Sequence, residues 1–256
     1  MRSLLSKIDD LRVRRSDPAR IGWLAQWTYA HRGLHGAGQV ENSRGAFAAA
    51  LAAGLGIECD IQRSADGEAM VFHDWDFTRL IGRPEKTESL TAAEWKKLSY
   101  LEGEEPPIAL ADLLEMVAGR VPLLIEIKSR RGYDVAQSCV AVAHCLRSYA
   151  GPHAVMSFDP RVSRWFAAHS PQTVQGLVMR EDDKGYTQKA WQRHLTLWAA
   201  RPEFLAYHIE ALPNPMVAGL REAGLPIATW TVNSPQLADR ARDHADALIA
   251  EGAGLA

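Results

Sequence analysis

The chain has 256 residues, 47% of them hydrophobic and 23% charged, the balance of a folded globular protein rather than a disordered one. Its formal net charge of −2 gives no basic footprint for nucleic acid. No apolar run approaches the roughly 18–20 residues that a membrane span requires. The first twenty residues, MRSLLSKIDDLRVRRSDPAR, hold basic residues without a continuous apolar segment. They read as a short amphipathic helix packed under the fold rather than a signal peptide. The three cysteines, Cys59, Cys139 and Cys145, cannot all pair within one chain, and none has metal-type spacing. Reduced thiols and a cytoplasmic location follow as expectations.

In chain order, short β-type runs are predicted at Trp27–Ala30, Gly56–Gln62, Ala69–Phe72, Leu123–Ile127, Ala154–Ser157, Val174–Met179, Phe204–His208, Ile227–Val232 and Ala247–Ala250. Helical patterns separate most of them: Ser43–Ala53, with Asn42 as a possible N-cap, Asp134–Ser148, Arg161–Ala168, Gln188–Ala200, Pro215–Ala223 and Pro235–Asp243. This alternation predicts βα units on a largely parallel sheet, and the length suits one TIM (β/α)8 barrel domain over residues 1–256. Nine runs exceed eight strands. The turn at Asp66-Gly67 joins two runs with no room for a helix, so the surplus strand is expected there. The stretch 74–107 breaks the alternation, holds its own helical piece at Ala92–Leu98, and reads as a small inserted segment over the catalytic face.

Four motifs fall on the ends of predicted strands: His31-Arg32-Gly33, Glu58-Cys59-Asp60, His73-Asp74 and Glu126-Ile127-Lys128. Residues i and i+2 of a strand share a face. Glu58 and Asp60 therefore point together, as do Glu126 and Lys128, with Ile57, Cys59 and Ile61 on the other side. Three inward carboxylates against Arg32 and Lys128 leave one excess negative charge. Burying it requires a cation. Oxygen-only ligation favours one Mg²⁺ or Ca²⁺ over zinc, and the resulting positive site suits a phosphodiester. Two histidines, His31 and His73, can then remove a proton from the nucleophile and return one to the leaving alkoxide near neutral pH.

These residues resemble the glycerophosphodiester phosphodiesterase family. AHRG, ENS, IECDIQRSADGEAMVFHD and LLIEIKS follow its pattern in order and spacing, and ATWTVN matches more weakly. The resemblance implies a TIM barrel with an inserted segment, and hydrolysis of a small-molecule glycerophosphodiester to glycerol 3-phosphate and an alcohol. It implies His31 and His73 as the acid–base pair, Glu58, Asp60 and Glu126 as metal ligands, and Arg32 and Lys128 as phosphate contacts. Glu41 and Asn42 would support the site. Trp230 would stack on glycerol or belong to the core. The sequence departs from the family pattern at Val40, Ser43 and Ala250-Glu251-Gly252. Two alternatives stay open: a lysophospholipid-cleaving enzyme, favoured if Trp75, Phe77, Leu80 and Ile81 line an apolar groove, and a barrel that binds phosphodiesters or a protein without turnover. The leaving alcohol and the oligomeric state are not legible.

Overall fold

The computed structural model describes residue 9, residues 16–36 and residues 38–255. The amphipathic helix expected within residues 1–20 lies largely outside them. All nine predicted strands form: β1 (Thr28–Ala30), β2 (Gly56–Arg63), β3 (Ala69–Val71), β4 (Leu123–Ile127), β5 (His153–Ser157), β6 (Val174–Met179), β7 (Phe204–His208), β8 (Ile227–Val232) and β9 (Ala247–Ala250). Their order in the sheet is β1-β9-β8-β7-β6-β5-β4-β2-β3, with β1 also paired to β2. Strand β3 is the surplus one. It folds back antiparallel on β2, Ile61 opposite Val71, through a turn in which Gly67 takes φ +92°. The other eight strands alternate with helices in the TIM-barrel arrangement.

The chain divides into two compact units, Tyr29–His153 and Met1–Thr28 with Ala154–Ala256. In the first, β2 pairs in parallel with β1 and β4, and the register sets Asp60 beside Glu126. Cys59, Ile57 and Ile61 are buried on the opposite face from Glu58 and Asp60, as strand alternation requires. The helix Arg44–Ala52 starts at Ser43, whose side chain accepts from the Ala46 amide at 3.1 Å. The expected cap, Asn42, is not the cap, because its side chain is turned to a buried carboxylate instead.

The inserted segment has a core of its own. Phe77 and Trp95 are fully buried with Phe72, ring centroids 4.7–5.6 Å apart, beside Ile81, Leu98 and Tyr100. Leu80 packs against this cluster. Of the four residues offered as a possible groove lining, three therefore belong to this core. Trp75 stands apart, its ring edge-on to Tyr133 and under the Arg130 guanidinium. Past the segment lies a helix the sequence reading omitted, Leu110–Val117, which buries Leu110, Leu113, Leu114 and Val117. That spacing, i, i+3, i+4, i+7, was visible in the chain.

In the second unit, four described helices open in the same way: a cap from Asp17, Asp159, Asn214 or Ser234, then Pro18, Pro160, Pro215 or Pro235 at the first helical position, where a missing N–H costs nothing. Leu177, Leu205, Leu220 and Ile227 sit in its apolar core, each fully or almost fully buried. At about 1.5–3 kcal/mol per side chain, such burial is the main favourable term holding the strands together.

Candidate active site

The backbone at the end of β1 turns sharply. Arg32 and Asn42 both take φ +56°, and Gly33 follows at +78°. A Cβ on Gly33 would come within 2.9 Å of the Ala46 backbone and the Phe47 ring, so glycine is required after His31-Arg32. Left-handed backbone is tolerable for asparagine and costly for arginine. What holds Arg32 there is visible: its N–H donates to Glu58 Oε2 at 3.0 Å, and its carbonyl accepts from the Asn42 amide at 2.9 Å. The turn thus binds the His31-Arg32 arm to the strand that carries the carboxylates.

Glu58, Asp60 and Glu126 come together. All three are buried, and each offers an oxygen within 4.8 Å of the others. Lys128 Nζ lies 2.7 Å from Asp60 Oδ1 and 2.6 Å from Glu126 Oε1, while Arg32 Nε lies 3.1 Å from Asp60 Oδ2. Asn42 donates from Nδ2 to Asp60 Oδ2 at 2.9 Å and accepts from the Asp60 amide through Oδ1 at 3.2 Å. Asn42 is fully buried in doing so, and its side chain caps no helix.

Two cations cannot neutralise three buried carboxylates, and the burial and neighbouring charges of each decide where the strain falls. Burial opposes ionisation of Asp60, yet Lys128 and Arg32 outweigh it and hold its carboxyl well below the usual range. Burial, then Asp60 and Glu126, push Glu58 well above its usual value. The excess charge counted from the sequence thus bears most on Glu58. A hard divalent cation fits this donor set: it would favour the ionised form of all three carboxylates and offset their mutual repulsion.

His73 sits past β3 with its side chain 32% exposed, open to a substrate in a way the carboxylates at 2–10% are not. Its Nδ1 lies 2.7 Å from Asp74 Oδ1. Burial disfavours charge on Asp74, but hydrogen bonds from His73 and Arg79 keep its carboxyl low and ionised. An ionised carboxylate only accepts, so Nδ1 carries the proton and Nε2 is left for chemistry. Gln62, two positions beyond Asp60 on the same face, donates from Nε2 to the carbonyls of His73 (3.2 Å) and Asp74 (2.9 Å). His31, half-buried, adjoins Arg32 directly.

The sequence reading gave no role to Gln62, Asp74 or Arg79. The i, i+2 rule that paired Glu58 with Asp60 extends to Gln62. Asp74 lay within the His73-Asp74 motif, but its link through Arg79 to Glu41 exists only in the fold. Arg79 reaches Glu41 and Asp74 with four hydrogen bonds of 2.7–3.1 Å, and Glu41 also accepts from Arg32 at 2.8 Å. Trp230 lies on β8 in the second unit. Its indole N–H donates to the Ala206 carbonyl at 3.2 Å, between Phe158 and His208, with Arg180 over the ring.

The model of the glycerophosphoryl diester phosphodiesterase family matches residues 31–251. The chain belongs to that family. It is accordingly an enzyme of the glycerophosphodiester phosphodiesterase class. Among solved structures, a family protein from Silicibacter pomeroyi superposes with TM-score 0.75 at 22% identity, over 96% of this chain and 93% of its own. A phosphodiesterase from Oleispira antarctica, solved with the product sn-glycerol-3-phosphate, gives 0.73 at 23%, covering 88% and 92%. The glycerophosphodiester phosphodiesterase of Thermotoga maritima gives 0.70 at 26%, covering 87% and 93%. These likenesses bear on the fold, a barrel of the same kind. No curated protein matches the chain in sequence.

Proposed function

We propose that this member of the family hydrolyses small glycerophosphodiesters to sn-glycerol 3-phosphate and an alcohol, with His31 and His73 handling the protons and one Mg²⁺ or Ca²⁺ held by Glu58, Asp60 and Glu126. The observation that carries the reading is the buried carboxylate trio on β2 and β4, with His73, bonded to Asp74, just past the strand β3 that pairs with β2. The product bound to the Oleispira antarctica phosphodiesterase supports the substrate class.

The His73 side chain is about a third exposed and its Nδ1 is held by Asp74, so its Nε2 can take up or deliver one proton. His31, on the arm that Arg32 fastens to Glu58, handles the other. Arg32 and Lys128 already face Asp60, and in the same place they would offset charge on the phosphoryl oxygens. A divalent cation, when bound, would polarise the phosphoryl group and balance its charge. Glu41 and Asn42 keep Arg32 and Asp60 in position. Trp230, half-exposed on β8, would present an indole face to the glycerol portion.

We read residues 1–256 as one barrel domain with the insertion at 74–107. No described helix is long and apolar enough to cross a membrane. Cys59, Cys139 and Cys145 form no disulfide among the described residues, which suits a reducing, cytoplasmic setting. The lysophospholipid alternative loses its main support, because Phe77, Leu80 and Ile81 belong to the core of the insertion.

Phosphorus NMR of glycerophosphocholine and glycerophosphoethanolamine incubated with the protein tests this directly. Glycerol 3-phosphate should accumulate with Mg²⁺ or Ca²⁺ and stop after dialysis against a chelator. His31→Ala and His73→Ala should each lower turnover about 10²-fold or more with the fold intact. Turnover that survives chelation would remove the cation from the account, and near-full activity in either variant would remove that histidine.

A further inference from the structure

Arg79 stands on the helix Thr78–Ile81 of the inserted segment, between Phe77 and Ile81. Those two residues are four apart and buried together against Phe72 and Trp95, so Arg79, two positions from each, projects from the other side. From there its guanidinium meets two carboxylates at once. Nε and Nη2 donate to Asp74 at 2.7 and 3.1 Å, and Nη1 and Nη2 donate to Glu41 at 2.9 and 2.7 Å. An exposed ion pair is worth little. Here the Arg79 side chain is 48% exposed, but the carboxylates are only 13% and 23% exposed and both pairings are bidentate. Each carboxylate has a second partner that matters: Asp74 holds His73 Nδ1, and Glu41 holds Arg32. A continuous path of bonds therefore runs from His73 through Asp74, Arg79 and Glu41 to Arg32, whose own N–H is fixed to Glu58.

We propose that Arg79 is a positioning residue for hydrolysis, clamping Asp74 against His73 and Glu41 against Arg32, and that the inserted segment serves as the platform that aims it. The inference rests on the reading of His73 as a proton-transfer group. Arg79 acts through its two carboxylates and not on the substrate. Lysine, a single point donor, cannot reproduce the four-bond fork.

Steady-state kinetics of Arg79→Met, Arg79→Lys and the Asp74→Asn/Glu41→Gln pair, with and without Arg79→Met, test it on the full chain with glycerophosphocholine. Arg79→Met should lower kcat about 10–100-fold, the size a misplaced catalytic group produces, with KM changed less than about threefold. Arg79→Lys should recover only part of that loss. Adding Arg79→Met to the Asp74→Asn/Glu41→Gln pair should cost less than about threefold more, since coupled residues are not additive. Proton NMR should show the His73 Nδ1–H resonance, assigned by its absence in His73→Gln, moving or broadening in Arg79→Met. If Arg79→Met folds poorly, the same resonance and the kinetics measured in Arg79→Lys decide the matter. A raised KM with unchanged kcat, full additivity with the pair, or an unmoved His73 resonance would each overturn the proposal. Turnover retained in His73→Ala would instead bring down the underlying reading. An inactive His73→Ala beside a fully active Arg79→Met would sink the Arg79 role alone.

Discussion

The two compact units bury polar groups on their strands in different ways. In Tyr29–His153, strands β2 and β4 carry Glu58, Asp60 and Glu126 at 1–8% exposure, ionisable groups packed side by side. In the second unit the buried polar positions on strands are Ser157, Gln175 and Thr229, all neutral. The Thr229 hydroxyl donates to the Tyr207 carbonyl at 2.7 Å, a closed local bond that asks nothing further of its surroundings. Even the carboxylate at the end of β6, Glu181, is met by Tyr207, Asn214 and Arg193. The first unit therefore differs from the second in carrying, on its strands, buried carboxylates that outnumber the cations beside them.

That contrast can be broken by substitution. Lys128→Met removes the cation shared by Asp60 and Glu126, and should destabilise the protein by about 3–5 kcal/mol, the usual result of leaving buried charges unpaired, while abolishing turnover. Tyr207→Phe leaves Glu181 with two partners, and should cost about 1–2 kcal/mol with turnover retained. Denaturant unfolding of the cation-free proteins ranks them, and the reverse order would contradict the distinction between the units.

A pH series sharpens it. The folded pKa of Glu58 is raised, so its proton stabilises the cation-free protein fully below the ordinary carboxylate pKa, and that contribution is lost as pH rises through the raised value. Asp60 has the opposite sign: its contribution is present above the ordinary value and lost as pH falls through its depressed one. Cation binding must displace the Glu58 proton, so affinity should climb with pH beyond the ordinary carboxylate range, and Glu58→Gln should flatten the climb. Affinity that levels off within the ordinary range in the unaltered protein would argue against a protonated Glu58.

The smallest effect separates adjacent residues. Ser43→Ala removes a helix cap and should lower stability by about 1 kcal/mol with the site unaffected. Asn42→Ala should lower turnover instead, because Asn42 holds both the carboxylate and the amide of Asp60. Equal losses of turnover in the two variants would mean that the Asn42–Asp60 pair does not govern the site.

Much of this was legible from residue order. Alternation along Glu58-Cys59-Asp60 told which side chains share a face, and Asp66-Gly67 marked the hairpin that makes β3 the surplus strand. The register that sets Asp60 beside Glu126 was not legible, because strand pairing is a tertiary choice. Asn42 looked like a cap since asparagine before an Ala-rich run commonly is one, and only the fold shows a buried acid competing for its side chain. The Arg79 bridge spans thirty-eight positions to Glu41, beyond any local rule. The helix Leu110–Val117 carried its signal openly but was shadowed by the insertion before it.

The central claim is that Glu58, Asp60 and Glu126 form a cation site on which the hydrolytic chemistry depends. Calorimetric titration of Mg²⁺ and of Ca²⁺ into cation-free protein tests it most directly. The account predicts saturable binding of one ion, lost in Glu126→Gln and weakened in Glu58→Gln. Binding that survives both substitutions, or none at millimolar cation, would contradict it.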